Sequence, residues 1–257
     1  MARTIDHQRR QSIAQILRET GFVRNSELSN KLGVSIVTIR QDIEALSAQG
    51  LLQKTYGGAV SQIGGVAQDS SFDSRSSQQV EAKRRIGAAA ARSVRPGETI
   101  VLDSGSTTME IARRLPENQD LTVVTCALNI ALELANKPGI TVIVCGGRLN
   151  SRTFSTIDHQ VERQLAEVCA DRLFLATYGV DLERGLAERN FEMAQTKRAL
   201  IGAAREVTLV CDSSKFGGAG PVLISALDVV KRIVTDDGIP AEFRQWFATH
   251  RIDVETV

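Results

Sequence analysis

Two clusters of side chains in this 257-residue chain have the types and spacing for chemistry on phosphate-bearing partners. The first is Ser35, Val37, Thr38, Arg40 and Gln41, within Gly33-Val-Ser-Ile-Val-Thr-Ile-Arg-Gln-Asp-Ile-Glu-Ala-Leu46. A hydroxyl, a guanidinium and a carboxamide near the start of a helix can hydrogen-bond base edges and phosphates of a duplex. The second is Asp103-Ser104-Gly105-Ser106-Thr107-Thr108. Small residues let backbone N–H groups approach an anion, and the start of a helix favours negative charge. The same turn chemistry also serves an ordinary helix cap, so spacing alone leaves both readings open.

The elements that must position the first cluster follow from apolar spacing. Ser35 is placed to cap a helix near Thr38, and Ile39, Ile43 and Leu46 fall on one face. Ile13, Ile16 and Leu17 mark an earlier amphipathic helix, and Asn25 or Ser26 can cap a short one carrying Leu28 and Leu32. Gly33 supplies the turn between the second and third helices, which makes a helix-turn-helix. Leu51 to Ala59 read as a hairpin with a basic tip, a wing. A plain three-helix bundle is the alternative, but it leaves the wing and the exposed Thr, Arg and Gln as coincidences.

The second cluster belongs to a different pattern. Residues 1–60 form the winged unit, and the Ser-, Gln- and Gly-rich stretch 61–79 has linker chemistry, with Phe72 and Arg75 as residues able to dock. From residue 80 to 257 short apolar strands alternate with helices: Thr99–Leu102, Leu121–Thr125, Ile140–Cys145, Arg172–Thr177, Val207–Cys211 and Lys231–Thr235 are the strands expected before a last one at Ile252–Thr256. Such alternation predicts an α/β fold with a mostly parallel sheet covered on both faces. Ligands of these folds bind beyond the carboxyl ends of strands. There stand Asp103–Thr108, Thr125-Cys126, Gly146-Gly147, Gly179-Val180-Asp181 and Asp212-Ser213-Ser214-Lys215, a set suited to a phosphorylated sugar.

Composition limits the alternatives. A 42% apolar and 24% charged chain fits a globular protein, and no apolar run is long enough to cross a membrane. The polar start, and Cys126, Cys145, Cys169 and Cys211 spread without a Cys-x-x-Cys pair, predict a cytoplasmic protein with free thiols. His7, His159 and His250 are scattered, so neither metal nor cofactor is expected. Phe243, Trp246 and Phe247 share a helix and suit a core or subunit contact. The net charge of +1 divides unevenly, with eight Lys/Arg against five Asp/Glu in residues 1–60. Positive charge therefore collects where a polyanion is expected to bind.

These motifs resemble the DeoR family of bacterial transcription regulators. The N-terminal match runs through Val34, Ser35, Thr38, Ile39, Arg40, Asp42, Ile43 and Leu46 to Gly50, Leu52 and Tyr56-Gly57-Gly58-Ala59. It departs at Gln41, where the family usually has a second Arg. The C-terminal match takes in Asp103–Thr107, Thr125, Gly147, Gly179, Asp181, Gly185, Glu192, Lys197 and Asp212–Gly217, with Cys126 in place of the usual Asn. Asp103–Arg113, Asp181–Gly185 and Asp237–Ala241 look most like the branch that regulates N-acetylgalactosamine and galactosamine use. The resemblance implies a winged helix-turn-helix joined to a doubly wound sensor half similar to ribose-5-phosphate isomerases and CoA-transferases.

By that resemblance, Ser35, Val37, Thr38, Arg40 and Gln41, with Lys54 and Tyr56 on the backbone, would bind double-stranded operator DNA. Asp103, Ser104, Gly105, Ser106, Thr107, Thr108, Thr125, Gly147, Gly179, Asp181, Glu192, Lys197 and Lys215 would hold a phosphorylated sugar or amino-sugar effector. Arg152, beside the hydroxyls of Thr153 and Ser155, either reaches a phosphate or is a solvated loop residue. The expected protein is a repressor of a sugar-catabolic operon, a homodimer or tetramer at the bacterial nucleoid. The competing expectation is a sugar-phosphate isomerase carrying a DNA-binding domain. Such isomerases have a proton-shuttling Glu directly before the matching Lys, whereas Thr196 precedes Lys197 here. Thr cannot act as that base near neutral pH.

Overall fold

The computed structural model describes residues 9–17, 22–48, 51–55, 57–61, 71–218 and 220–257. Residues 9–17 form α1. After it come β1 (Phe22–Arg24), α2 (Asn25–Leu32), α3 (Ile36–Ala48), β2 (Leu52–Thr55) and β3 (Gly58–Ser61). Ile13, Leu17, Leu28, Ile39, Ile43 and Leu46 bury the expected stripes in one small core with Val23 and Leu52. Ser35 Oγ accepts the Thr38 N–H at 3.1 Å, and Gly33 ends α2 in the left-handed region at φ 65°. Asp42, 1% exposed, accepts from Arg9 and Arg10 at 2.5 and 2.8 Å and so fastens α3 to α1.

Two local expectations change. The wing has a third strand, in the order β1-β3-β2. β1 is only three residues long, too short to show alternation. Because it runs straight into α2, the residue before the helix is Arg24, whose N–H donates to the Glu27 carboxylate at 3.3 Å. Asn25 lies inside the first turn and is buried, so neither it nor Ser26 is the cap.

The second unit contains α4 (Phe72–Ser76), α5 (Val80–Arg92), β4 (Thr99–Leu102), α6 (Ser106–Arg114), β5 (Leu121–Thr125), α7 (Leu128–Leu134) and β6 (Ile140–Val144). It continues through β7 (Arg148–Asn150), β8 (Ser155–Ile157), α8 (His159–Leu165), β9 (Ala170–Leu175), β10 (Gly179–Asp181), β11 (Gly185–Glu188) and α9 (Phe191–Gly202). β12 (Ala204–Val210), β13 (Val222–Ser225), β14 (Val230–Thr235), α10 (Ala241–Thr249) and β15 (Asp253–Thr256) complete it.

Seven strands make the central sheet in the order β15-β14-β12-β9-β4-β5-β6, every neighbouring pair parallel. One apolar cluster packs α5, α6 and α7 on one face, and a second packs α9 and α10 on the other. From β4 the chain builds outward through β5 and β6; from β9 it builds the opposite way. The winding direction therefore reverses between β4 and β9, which opens a crevice at their carboxyl ends. The hairpin β7-β8 and the antiparallel sheet β10-β11-β13 lie outside the sequence reading. Their strands of three or four residues are too short for a period to register.

Within the stretch expected to be a linker, residues 71–79 carry α4 and pack on the second unit. The Phe72 N–H donates to the Arg152 carbonyl at 2.7 Å, and the Phe72 ring meets Phe154 edge-on at 5.9 Å. No helix among the described residues is long and apolar enough to cross a membrane.

Candidate functional site

The crevice is organised by one buried ion cluster. Asp103 follows β4, and its carboxylate accepts from Ser104 N–H at 2.7 Å and, across the switch point, from Ala176 N–H at 3.0 Å. Lys197 of α9 places its ammonium 3.1 Å from Asp103 and 2.9 Å from Glu188, and donates to the Ala176 carbonyl at 2.8 Å. All three residues are buried. Burial alone would strip Lys197 of its proton, but the two carboxylates outweigh it and hold the ammonium charged. Burial pushes Asp103 up, and Lys197 only partly offsets that. Burial also opposes ionisation of Glu188, but Lys197 and the Arg189 N–H prevail and keep it below its ordinary value. The three Lys197 donors are spent on this cluster, which ties α9 to the ends of β4, β9 and β11.

Over this brace lies a cleft that opens to solvent. The start of α6 forms one wall with Gly105, Ser106 and Thr107. The first N–H groups of a helix have no acceptor within it and point at whatever fills the space. Four cationic residues from different segments also line the cleft: Arg75 of α4, Lys83 of α5, Arg189 after β11 and Lys215 in the turn after β12. Lys83 is 4% exposed, and its ammonium donates to the carbonyls of Arg75 and Gln78 at 2.5 and 2.7 Å. Among the described residues no carboxylate lies within ion-pair distance of it. Burial, reinforced by Lys215 and Arg75 against the pull of Asp212, lowers its pKa to about 8. Arg189 sits 4.4 Å over the Tyr178 ring and donates to the phenol oxygen at 3.2 Å. Four cationic residues thus line one cleft beside a helix N-terminus, a setting that favours an anion.

The structure brings Gly105, Ser106, Thr107, Lys197 and Lys215 to this cleft. Asp103, Ser104 and Thr108 stand behind it, Thr108 donating to the carbonyls of Asp103 and Gly105 at 2.6 and 3.0 Å. Thr125 donates to the Leu102 carbonyl at 2.7 Å and accepts from Ala127 N–H, joining β4 to the end of β5. Other residues are placed elsewhere. A Cβ on Gly147 would meet Val161 at 2.7 Å, and one on Gly179 would meet the Gly218 carbonyl at 2.2 Å, so both positions are set by close packing. Asp181 caps its own turn by accepting from the N–H groups of Glu183 and Arg184 at 2.9 and 2.8 Å. Glu192 is an exposed partner of Arg148. Arg152 lies at the surface outside the cleft, with its N–H on Asn150 Oδ1 at 3.1 Å.

Sequence reasoning did not single out Lys83, Glu188 or Arg189, and it gave Arg75 only as a docking residue. One signal was present: Lys83, Ile86, Gly87 and Ala90 share the buried stripe of α5, and a Lys on an apolar stripe is out of place. Thr196, in the isomerase base position, is buried and donates to the Glu192 carbonyl at 3.1 Å. Among the described residues no group of His, Cys, Asp and Glu could hold a metal ion.

The other polar surface is the exposed face of α3. Val37 is 62% exposed and Ile36 41%, and Arg40 and Gln41 are exposed beside them. Ser35 and Thr38 share a hydroxyl contact of 2.9 Å at the helix start. Lys54 is exposed on β2, 3.2 Å from Glu44. Tyr56 lies outside the described residues.

Comparison with known proteins agrees with both halves. The DeoR-like helix-turn-helix domain matches residues 9–63, and the DeoR C terminal sensor domain matches residues 78–237. A protein of Escherichia coli O157:H7 assigned as aga operon transcriptional repressor is 35% identical over 91% of this chain and 88% of its own. The glycerol-3-phosphate regulon repressor of Escherichia coli K12 is 32% identical over 96% and 98%. Among solved structures, ribose 5-phosphate isomerase A from Methanocaldococcus jannaschii aligns over 54% of this chain and 55% of that one, at 16% identity and a TM-score of 0.39.

Proposed function

The chain belongs to the DeoR family of DNA-binding transcriptional regulators, and we propose that it represses a sugar or amino-sugar catabolic operon until a phosphorylated sugar releases it. The observation that carries the effector reading is the convergence of Lys83, Arg189, Lys215 and Arg75 opposite the first turn of α6. A phosphate dianion seated there would take hydrogen bonds from Ser106 and Thr107 and neutralise the mutual repulsion of the cations. The sugar hydroxyls would face Thr153, Thr177 and Glu188. Lys197 acts as a positioning residue, since its three donors are already engaged.

On the DNA side, the exposed start of α3 enters the major groove, with Arg40 and Gln41 on base edges or phosphates and Val37 against a thymine methyl. A single winged module covers few base pairs, so two or more copies share an operator. The motif resemblance of Asp103–Arg113, Asp181–Gly185 and Asp237–Ala241 supports an amino-sugar phosphate, while the glycerol-3-phosphate regulon repressor is nearly as similar over the whole chain. A calorimetric titration with galactosamine 6-phosphate, ribose 5-phosphate and glycerol 3-phosphate tests the pocket. Binding of at least one, lost in Lys215→Ala, is expected. Equal binding by wild type and Lys215→Ala would place the ligand elsewhere.

A further inference from the structure

Arg24 joins the DNA-binding unit to a turn that lines the cleft. Arg24 ends β1 and leads into α2. Its guanidinium donates to the Ser214 carbonyl at 2.6 Å and to the Phe216 carbonyl at 2.5 Å. These carbonyls flank Lys215, whose side chain lines the cleft. Arg24 therefore grips the outer side of a turn whose inner side faces the proposed effector.

Both ends of this contact are held firmly by their own units. Within the winged unit, Arg24 pairs with Gly58 of β3, its N–H is fixed by Glu27, and the next N–H, of Asn25, donates to Gly57 at 2.8 Å. Within the sensor unit, Asp212 accepts from the Ser214 N–H at 3.2 Å, and Gly217 N–H donates to Val180 at 2.8 Å. Phe216 is buried against Phe243 and Phe247 at ring separations of 5.2 and 6.1 Å. A short turn so restrained moves as a piece, and two packed arrangements of such a piece are what transmit a small local shift. The two acceptors are neutral carbonyls, so no ion pair has to be broken at this contact.

We propose that Arg24 is a latch. It holds the winged unit in its operator-binding placement while the cleft is empty. A ligand drawing Lys215 inward shifts the Ser214 and Phe216 carbonyls and releases it. The connection runs through this contact rather than through the covalent linker, and the release half rests on the effector reading given above.

The test measures the distance between the units in the full chain. Cys169 is exposed while Cys126, Cys145 and Cys211 are buried, so it takes a spin label selectively. A second label goes on Asn30→Cys, exposed on α2, with labelled chain diluted in unlabelled chain. A narrow distance distribution is expected without ligand, broadened or displaced in Arg24→Ala and restored in Arg24→Lys. Identical distributions for wild type and Arg24→Ala overturn the latch. Saturating galactosamine 6-phosphate, ribose 5-phosphate or glycerol 3-phosphate, whichever calorimetry shows to bind, should move wild type toward the Arg24→Ala distribution and leave Arg24→Ala unchanged. A ligand that binds without moving wild type overturns the release step. If none of the three phosphates binds, the effector reading fails, while the ligand-free comparison still decides whether Arg24 fixes the placement.

Discussion

Lys83 carries the pH dependence expected of the cleft. Its ordinary pKa of 10.5 falls to about 8 through burial. The unfolded chain keeps this proton across that interval and the folded chain loses it, so stability contributed by this group rises as pH climbs from about 8 to 10.5. Ligand binding has the opposite trend, because an anion needs the protonated form. Affinity for a sugar phosphate should weaken as pH rises from about 7 to 9, by no more than tenfold per unit for one proton. Titration in buffers of differing ionisation enthalpy should show proton uptake on binding near pH 8; binding with no proton uptake would remove Lys83 from the site.

Two other residues give sharp expectations. Lys197→Met would leave Asp103 and Glu188 buried together without their cation, and a loss of about 3–5 kcal/mol in urea unfolding is expected. A loss under 1 kcal/mol would mean the carboxylates find water or protons at little cost. Arg40→Ala should weaken operator binding by about 1–3 kcal/mol if Arg40 reads a base, with relaxed preference at that position. Uniform weakening across sequences would assign it to a phosphate instead. The two kinds of residue differed in how plainly they could be read. Arg40 was legible because its neighbours Ile39 and Ile43 fix which face it leaves exposed. Glu188 was not, because its partners Asp103 and Lys197 lie on other elements and meet it only through the sheet order.

At the scale of elements, the regular strands and helices follow from local periods, and the departures follow from short length. β4, whose four residues are all apolar apart from Thr99, appears where expected; β1, β10 and β11, with three or four residues and Gly at two of their starts, give no period to read. The contact between α5 and α6 shows a further limit of one-dimensional reading. A Cβ on Gly87 would lie 2.6 Å from the backbone carbon of Glu110. Gly87 therefore marks a close helix crossing, not helix flexibility. Gly87→Ala, which improves helix propensity, should nevertheless destabilise by about 1–3 kcal/mol. Thermal unfolding checks it, and a rise in Tm would show that the two helices can part without loss. This crossing also sets the position of Lys83, one turn earlier on α5, against the start of α6, so the variant should weaken ligand binding as well.

At the scale of the whole molecule, the proposed regulation links two separate polar surfaces. The doubly wound sheet was legible from its alternating pattern, and the winged unit from its three apolar stripes. Their contact through Arg24 was not, because a lone Arg ahead of a helix is an unremarkable surface residue until the turn at Ser214–Phe216 is folded beside it. Sensor proteins of this kind change operator affinity by the ligand's differential affinity for the two arrangements, commonly a factor of about 5–150. The central claim is tested most directly by fluorescence anisotropy on an operator selected from random duplexes, titrated with the chain in the presence and absence of the sugar phosphate that calorimetry identifies. Operator affinity should fall by at least about fivefold when the cleft is filled. Unchanged affinity at full occupancy of the cleft would contradict the account.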